Sequence, residues 1–118
     1  MAGNLSHFEI RAEDAERAHG FWSSLFGWKF NASPGEIPYL MTDTGNGVTA
    51  GLYRSEAAER GLVVYFNVDD LEASLDRVRS LGGIVNDKGP VPEIGWYAHC
   101  TDTEGNQFGL FQQDVSAA

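Results

Sequence analysis

Residues 7–16 read HFEIRAEDAE, and a similar pattern returns 56 positions later, where residues 63–72 read VVYFNVDDLE. The shift places Asp14 on Asp70 and keeps the apolar and acidic positions in step. Repetition at a fixed offset indicates that one structural unit occurs twice in a chain. The sequence therefore predicts a domain built from two copies of the same module.

Each copy reads as a strand followed by a helix. Phe8, Ile10 and Ala12 alternate with other side chains, as in a half-buried strand. An acidic pair then supplies a helix N-cap, and apolar residues follow at helical spacing up to a glycine. We predict helices near residues 14–26 and 70–81, each followed by three shorter strands. The prediction is an α+β fold of two βαβββ modules, with residues 1–54 and 61–113 as the modules of one domain, 1–118.

Composition narrows the class of partner. The 118 residues carry a formal net charge of -9, and phosphate binding needs clustered Lys and Arg, so a nucleic-acid partner is not expected. No apolar run approaches the roughly 20 residues of a membrane span, and no secretory signal is visible. We therefore expect a cytoplasmic protein with no membrane partner. Cys100 is the sole cysteine, which excludes an intramolecular disulfide.

Further motifs follow in a fixed order: FWSSLFGW at residues 21–28, VDDL at 68–71, LGG at 81–83 and DTEGNQFGL at 102–110. Together with the repeat, they resemble the glyoxalase / bleomycin-resistance / extradiol-dioxygenase superfamily, also called the vicinal-oxygen-chelate superfamily. In that superfamily the two modules form curved mixed sheets around a cup for a small molecule, with the helices outside. The resemblance implies the same architecture here, and a homodimer.

The resemblance also bears on metal binding. Metal-dependent members take ligands from four positions, which here are His7, Gly51, Val63 and Gly109. Only the histidine can bind, and a divalent ion needs about three or more protein ligands. We therefore predict no metal and no cofactor at the family position. A displaced metal site made of His7, Glu9 and His99 stays open as an alternative.

Strand parity selects the side chains expected to line the cup. Neighbouring side chains on a strand point to opposite faces, so residues that alternate with the helix-facing ones face the other way. Aromatic walls with a few polar groups are typical of small-ligand pockets. The expected ligand-binding residues are His7, Glu9, Arg11, Tyr53, Tyr65, Asn67, Trp96, Tyr97, His99 and Phe111.

Three functions follow from this pattern. The favoured one is a metal-free protein that binds a small aromatic or carbonyl-containing molecule. The second is a metal-independent or displaced-metal lyase, isomerase or hydroxylase, with His7, Glu9 and His99 as candidate catalytic residues. The third is a non-catalytic interaction subunit. The fold does not choose among them.

Overall fold

A computed structural model describes residues 3–33, 38–56 and 61–118. Backbone packing divides the chain into two compact units, one of residues 6–63 and one of residues 1–5 with 64–118. We call the βαβββ repeat that lies mainly in the first unit the first module, and the one that lies mainly in the other unit the second module. The predicted boundary segment includes residues 57–60, which lie outside the described residues, so the predicted domain bounds stay a prediction.

The first module has the predicted β-α-β-β-β order. Its elements are β1 (Leu5–Ala12), α1 (Ala15–Phe26), β2 (Asn31–Ala32), β3 (Leu40–Gly45) and β4 (Val48–Arg54). The strands lie in the order β2-β3-β4-β1. The pair β1 and β4 is parallel, whereas β3 pairs antiparallel with both β2 and β4.

The second module repeats this arrangement. Its elements are β5 (Gly61–Asn67), α2 (Leu71–Ser80), β6 (Ile84–Val91), β7 (Gly95–Thr101) and β8 (Gln107–Gln113). The strands lie in the order β5-β8-β7-β6, again with the first strand parallel to the last and the others antiparallel. The predicted α+β class, the two βαβββ units and the positions of both helices are confirmed.

The helices begin where the acidic pairs predicted. The Asp14 side chain accepts a hydrogen bond from the backbone N–H of Arg17 at 2.9 Å. The Asp70 side chain likewise accepts a hydrogen bond from the backbone N–H of Ala73 at 3.1 Å. Each carboxylate satisfies a backbone donor of the first helical turn that has no partner within the helix. At the other end of α1, Gly27 adopts a left-handed conformation with φ of 71°, which glycine allows without steric strain.

Each module buries its apolar residues differently. In the second module α2 packs Leu71 and Leu75 against the strands, in a cluster with Ala98, Cys100 and Leu110. In the first module the buried residues are on the strands, among them Ala50 and Leu52, and none of the α1 residues is buried. Within the described ranges, neither helix is long and apolar enough to cross a membrane.

Candidate functional site

Three predicted site residues lie on one face of β1 and take part in what we call the first polar cluster. Because β1 pairs in parallel with β4, His7 lies opposite Thr49 and Arg11 lies opposite Tyr53. A tyrosine that precedes β3 reaches the same face. The cluster consists of His7, Glu9, Arg11, Tyr39, Thr49 and Tyr53.

The hydroxyl of Tyr39 is at the centre of this cluster. It donates a hydrogen bond to Oε2 of Glu9 at 3.1 Å and lies 2.8 Å from Nε2 of His7. A phenol has one proton, so with that proton on the Glu9 side the histidine Nε2–H must be the donor to Tyr39. The other ring nitrogen of His7, Nδ1, then accepts from the Thr49 hydroxyl at 2.7 Å. The contacts therefore define one tautomer of a neutral His7.

Burial favours the same protonation states. Desolvation lowers the pKa of His7 below 6.5, against smaller opposing effects of the Glu9 carboxylate and of a hydrogen bond to the Thr49 backbone. The imidazole is therefore neutral at neutral pH. Burial and the neighbouring Glu9 raise the pKa of Tyr39 well above 10. Tyr39 consequently stays protonated and acts as a hydrogen-bond donor.

Arg11 and Tyr53 extend the cluster. The Nη2 atom of Arg11 donates to Oε1 of Glu9 at 3.3 Å, and both side chains are largely buried. The guanidinium carbon lies 5.9 Å from the centre of the Tyr53 ring, within cation–π range. The Tyr53 ring in turn stacks on Tyr39 at 5.4 Å. One charge pair on β1 and two stacked rings from neighbouring segments thus lie together in the first module.

Three further predicted residues, Tyr65, Tyr97 and His99, meet in the second module together with Asp87, and we call these four residues the second polar cluster. The Tyr65 hydroxyl lies 2.5 Å from Nε2 of His99. Both carboxylate oxygens of Asp87 lie 3.1 Å from Nδ1 of the same ring. The Tyr97 ring centre is 5.1 Å from that of His99.

Of the remaining predicted residues, Phe111 lies opposite Tyr97 and Asn67 lies opposite Phe111, next to the second polar cluster, whereas Trp96 lies on the other face. Trp96 packs against the core beside α2, and its indole N–H donates to Asp114 at 3.1 Å. The structure therefore does not bring Trp96 to its neighbour Tyr97, because adjacent strand residues point to opposite faces. Asn67 and Phe111 are paired in register on β5 and β8, and both are half-buried.

Sequence reasoning missed three members of the clusters. Thr49 lies on the same face of β4 as Gly51 and Tyr53, because the three residues are two positions apart. Strand parity could therefore have identified it. Asp87 follows an irregularity in the pairing of β6 with β7, which parity cannot foresee. Tyr39 lies just before β3, where no alternating pattern indicates its direction.

The residues at the family's metal positions do not fit a metal ion. A side chain placed at Gly51 would overlap the hydroxyl and ring of Tyr39, and one at Gly109 would overlap the ring of Tyr65. The space for two ligands is thus filled by tyrosine rings. Among the described residues, no three His, Cys, Asp or Glu side chains are grouped so as to hold a metal. The alternative site of His7, Glu9 and His99 draws on residues of both modules and stays an untested alternative.

The absence of a bound metal stays a prediction, which elemental analysis tests directly. We expect protein dialysed without chelator to contain no stoichiometric zinc, iron, manganese or nickel, because His7 is the one donor among the four family positions. A full equivalent of metal in the wild-type protein that disappears in His7→Ala would contradict this expectation.

Comparison with known proteins now assigns the family. The profile of the glyoxalase-like domain matches residues 7–111. The chain belongs to this family. A glyoxylase-like domain-containing protein of Didymella fabae is 38% identical over 125 residues, covering 93% of this chain and 94% of the relative. A Mycobacterium bovis protein named as a glyoxylase, CFP32, is 28% identical over 119 residues, and the match spans 46% of its length.

Solved structures agree on the fold of this glyoxalase-like chain. Methylmalonyl-CoA epimerase from Mycobacterium tuberculosis superposes with a TM-score of 0.71 at 18% identity, covering 95% of this chain and 88% of the epimerase. A glyoxalase/bleomycin resistance protein/dioxygenase superfamily member from Vibrio splendidus gives 0.70 at 15% identity, covering 93% and 100%. The predicted membership of the vicinal-oxygen-chelate superfamily is confirmed.

Proposed function

We propose that this glyoxalase-like chain binds a small, neutral, aromatic or carbonyl-containing molecule at the first polar cluster, without a metal. The observation that carries the proposal is the hydrogen-bond network around Tyr39. The Tyr39 hydroxyl bonds to both His7 and Glu9 on a largely buried strand face. We also propose that the protein acts in the cytoplasm.

The composition of the cluster supports a ligand over a purely structural role. Burying a polar group costs free energy that only well-made hydrogen bonds offset, and a valine or leucine would fill the same space more simply. The helix-facing positions of β1 use such a residue, Ile10, which is 4% exposed. Polar groups kept on the opposite face of the strand are therefore better explained by recognition.

Charge and shape narrow the ligand class. The carboxylate of Glu9 and the guanidinium of Arg11 pair, while burial keeps His7 neutral and Tyr39 protonated. The cluster thus has no net charge, which favours a neutral ligand over an ion. The stacked rings of Tyr39 and Tyr53 suit a planar group, and guanidinium N–H donors suit a carbonyl oxygen.

The same geometry favours binding over catalysis by His7. Both ring nitrogens of His7 already have hydroxyl partners, so a lyase, isomerase or hydroxylase reaction at this residue would require one of them to be displaced. The interaction-subunit alternative expects a site filled by the chain's own side chains, and the hydrogen-bonded polar groups of the first polar cluster favour a ligand over it. Small-molecule binding is therefore our first proposal.

A thermal-shift screen of neutral aromatic and carbonyl compounds tests the proposal that the first polar cluster binds a small molecule. We expect a hit to bind wild type, to lose its stabilising shift in His7→Ala, and to bind Tyr39→Phe about tenfold more weakly, as for one lost hydrogen bond. His19→Ala is the matched control, because this histidine lies on α1 and contacts Phe30 instead. Equal shifts in wild type and His7→Ala, with both variants unfolding cooperatively, would refute the proposal.

We propose in addition that the chain forms a homodimer through α1. Phe21, Leu25 and Phe26 are each more than half exposed on this helix, and exposed apolar patches commonly mark interaction surfaces. Sedimentation at micromolar concentration should give twice the chain mass of 12.9 kDa. Phe21→Glu should give a monomer, whereas Val115→Asp, at an exposed position near the end of the chain, should not. A monomeric wild type would contradict the proposal.

A further inference from the structure

We propose that Tyr65, His99 and Asp87 form a proton relay that removes the acidic proton of a neutral, planar phenol. This site lies in the second module and uses none of the residues of the first polar cluster. It adds a chemical activity to the proposed binding function, and its test does not depend on the outcome of the first one.

The contacts fix the direction of the relay. An ionised carboxylate can only accept hydrogen bonds, so the His99 Nδ1 that faces both Asp87 oxygens must carry the proton. In the neutral imidazole the other nitrogen, Nε2, then has a lone pair. That nitrogen faces the Tyr65 hydroxyl at 2.5 Å. With a neutral His99, Tyr65 is the donor, and its proton faces Nε2 of His99.

The first module shows the opposite arrangement and serves as an internal comparison. There the histidine donates to the tyrosine oxygen, and Tyr39 donates to the Glu9 carboxylate. A carboxylate next to Tyr39 disfavours loss of its proton, whereas the His99 nitrogen that faces Tyr65 is positioned as a general base. Asp87 orients this base and stabilises the imidazolium that would form, as the acidic member of a catalytic triad does.

The proposed step balances without any further reactant. The O–H bond of the phenol breaks, and its proton moves to the Tyr65 oxygen. The original Tyr65 proton moves to Nε2 of His99. The product is a phenolate held beside Tyr65, with an imidazolium between Tyr65 and Asp87. Because the Asp87 side chain is 55% exposed and that of His99 is 16% exposed, the transferred proton can exchange with solvent at this end.

The surroundings of the relay suggest the ligand class. The Tyr65 and Tyr97 rings both lie against His99, with ring centres 5.6 Å and 5.1 Å away, and suit a planar aromatic group. The chain carries a net charge of -9, which disfavours the approach of an anion. A phenol that arrives neutral and loses its proton at the site avoids that repulsion.

The probe is 4-nitrophenol, whose anion has its own absorption band, with 4-nitroanisole as the matched compound that lacks the proton. At a pH at which the free probe is mostly neutral, we expect wild type to bind it and to increase the phenolate band. His99→Gln keeps a side chain that can hydrogen-bond to Tyr65 but cannot take up a proton, and should lose the band. Tyr65→Phe should lose it as well, and His19→Ala, on α1 beside Phe30, should keep it.

Asp87 is a positioning residue, because it acts on the His99 ring and not on the phenol. Its role is therefore tested by a separate measurement, the tautomer of His99. Nitrogen NMR of the His99 ring should show the Nδ1–H tautomer in wild type. Asp87→Asn should change the tautomer or mix the two forms while the protein stays folded. The proposal is overturned by an Nε2–H tautomer in wild type, by failure of 4-nitrophenol to bind, or by an equal phenolate band in wild type and His99→Gln.

Discussion

Gly109→Ala is expected to destabilise the protein by about 1–3 kcal/mol, the usual result of forcing an extra methyl group into a packed site. A Cβ atom at this position would overlap the Tyr65 ring at Cδ2, Cε2 and also Cγ. The Cγ atom is one bond from the Tyr65 Cβ, so a small swing of the ring tip cannot relieve the overlap. Tyr65 is 5% exposed, and the ring has little room in which to move.

The variant should also break the hydrogen bond between Tyr65 and His99, since the ring that carries the hydroxyl must shift. Urea denaturation measures the loss of stability, and the His99 NMR signal reports the lost contact.

Gly20→Ala is the matched control. Gly20 lies in α1 with no atom near its added Cβ, and the variant should stabilise the protein by up to about 1 kcal/mol. A double variant with Tyr65→Ala should recover the clash energy, which a double-mutant cycle isolates. Additive effects would show that the ring does not cause the destabilisation.

Leu75→Ala is expected to cost about 2–5 kcal/mol, which is the range for deleting a fully buried leucine side chain. Leu75 is 0% exposed and lies in the cluster that joins α2 to the strands of the second module. Removing its branched end leaves a cavity whose lining atoms lose their contacts. Because net stabilities of small domains are only about 5–15 kcal/mol, this variant should unfold at a much lower urea concentration.

The matched control for Leu75→Ala is Leu81→Ala, directly after the same helix. Leu81 is 62% exposed, so its truncation should change the free energy of unfolding by less than about 0.5 kcal/mol. Comparing the two in urea separates loss of core packing from the general effect of a leucine-to-alanine change, because the chemical change is identical. Equal midpoints for the two variants would mean that Leu75 is not part of a packed core.

The buried thiol of the same cluster illustrates how packing alters chemistry. Cys100 is 0% exposed, and burial raises its pKa above 9.0. A thiol is a poor nucleophile while it keeps its proton. The residue thus contributes to packing, in agreement with its position in an apolar stretch of sequence.

The sequence by itself determined the features that depend on near neighbours. The repeat fixed two βαβββ units, and the acidic residues Asp14 and Asp70 marked where each helix begins, because an N-cap acts within three residues. Strand alternation placed His7, Glu9 and Arg11 on one face, since the period of a strand is two. The motif order identified the superfamily, and the glycines at two ligand positions already argued against its usual metal site.

Only the tertiary structure decided which distant groups meet. Tyr39 lies 30 positions from Glu9, and Tyr65 lies 34 positions from His99. Such pairs depend on how strands are ordered and in what register they pair, which no local pattern encodes. Asp87 reaches His99 next to an irregularity in the β6–β7 register. The proton positions in both clusters follow from these long-range contacts, because a histidine tautomer is set by the partners of its two nitrogens.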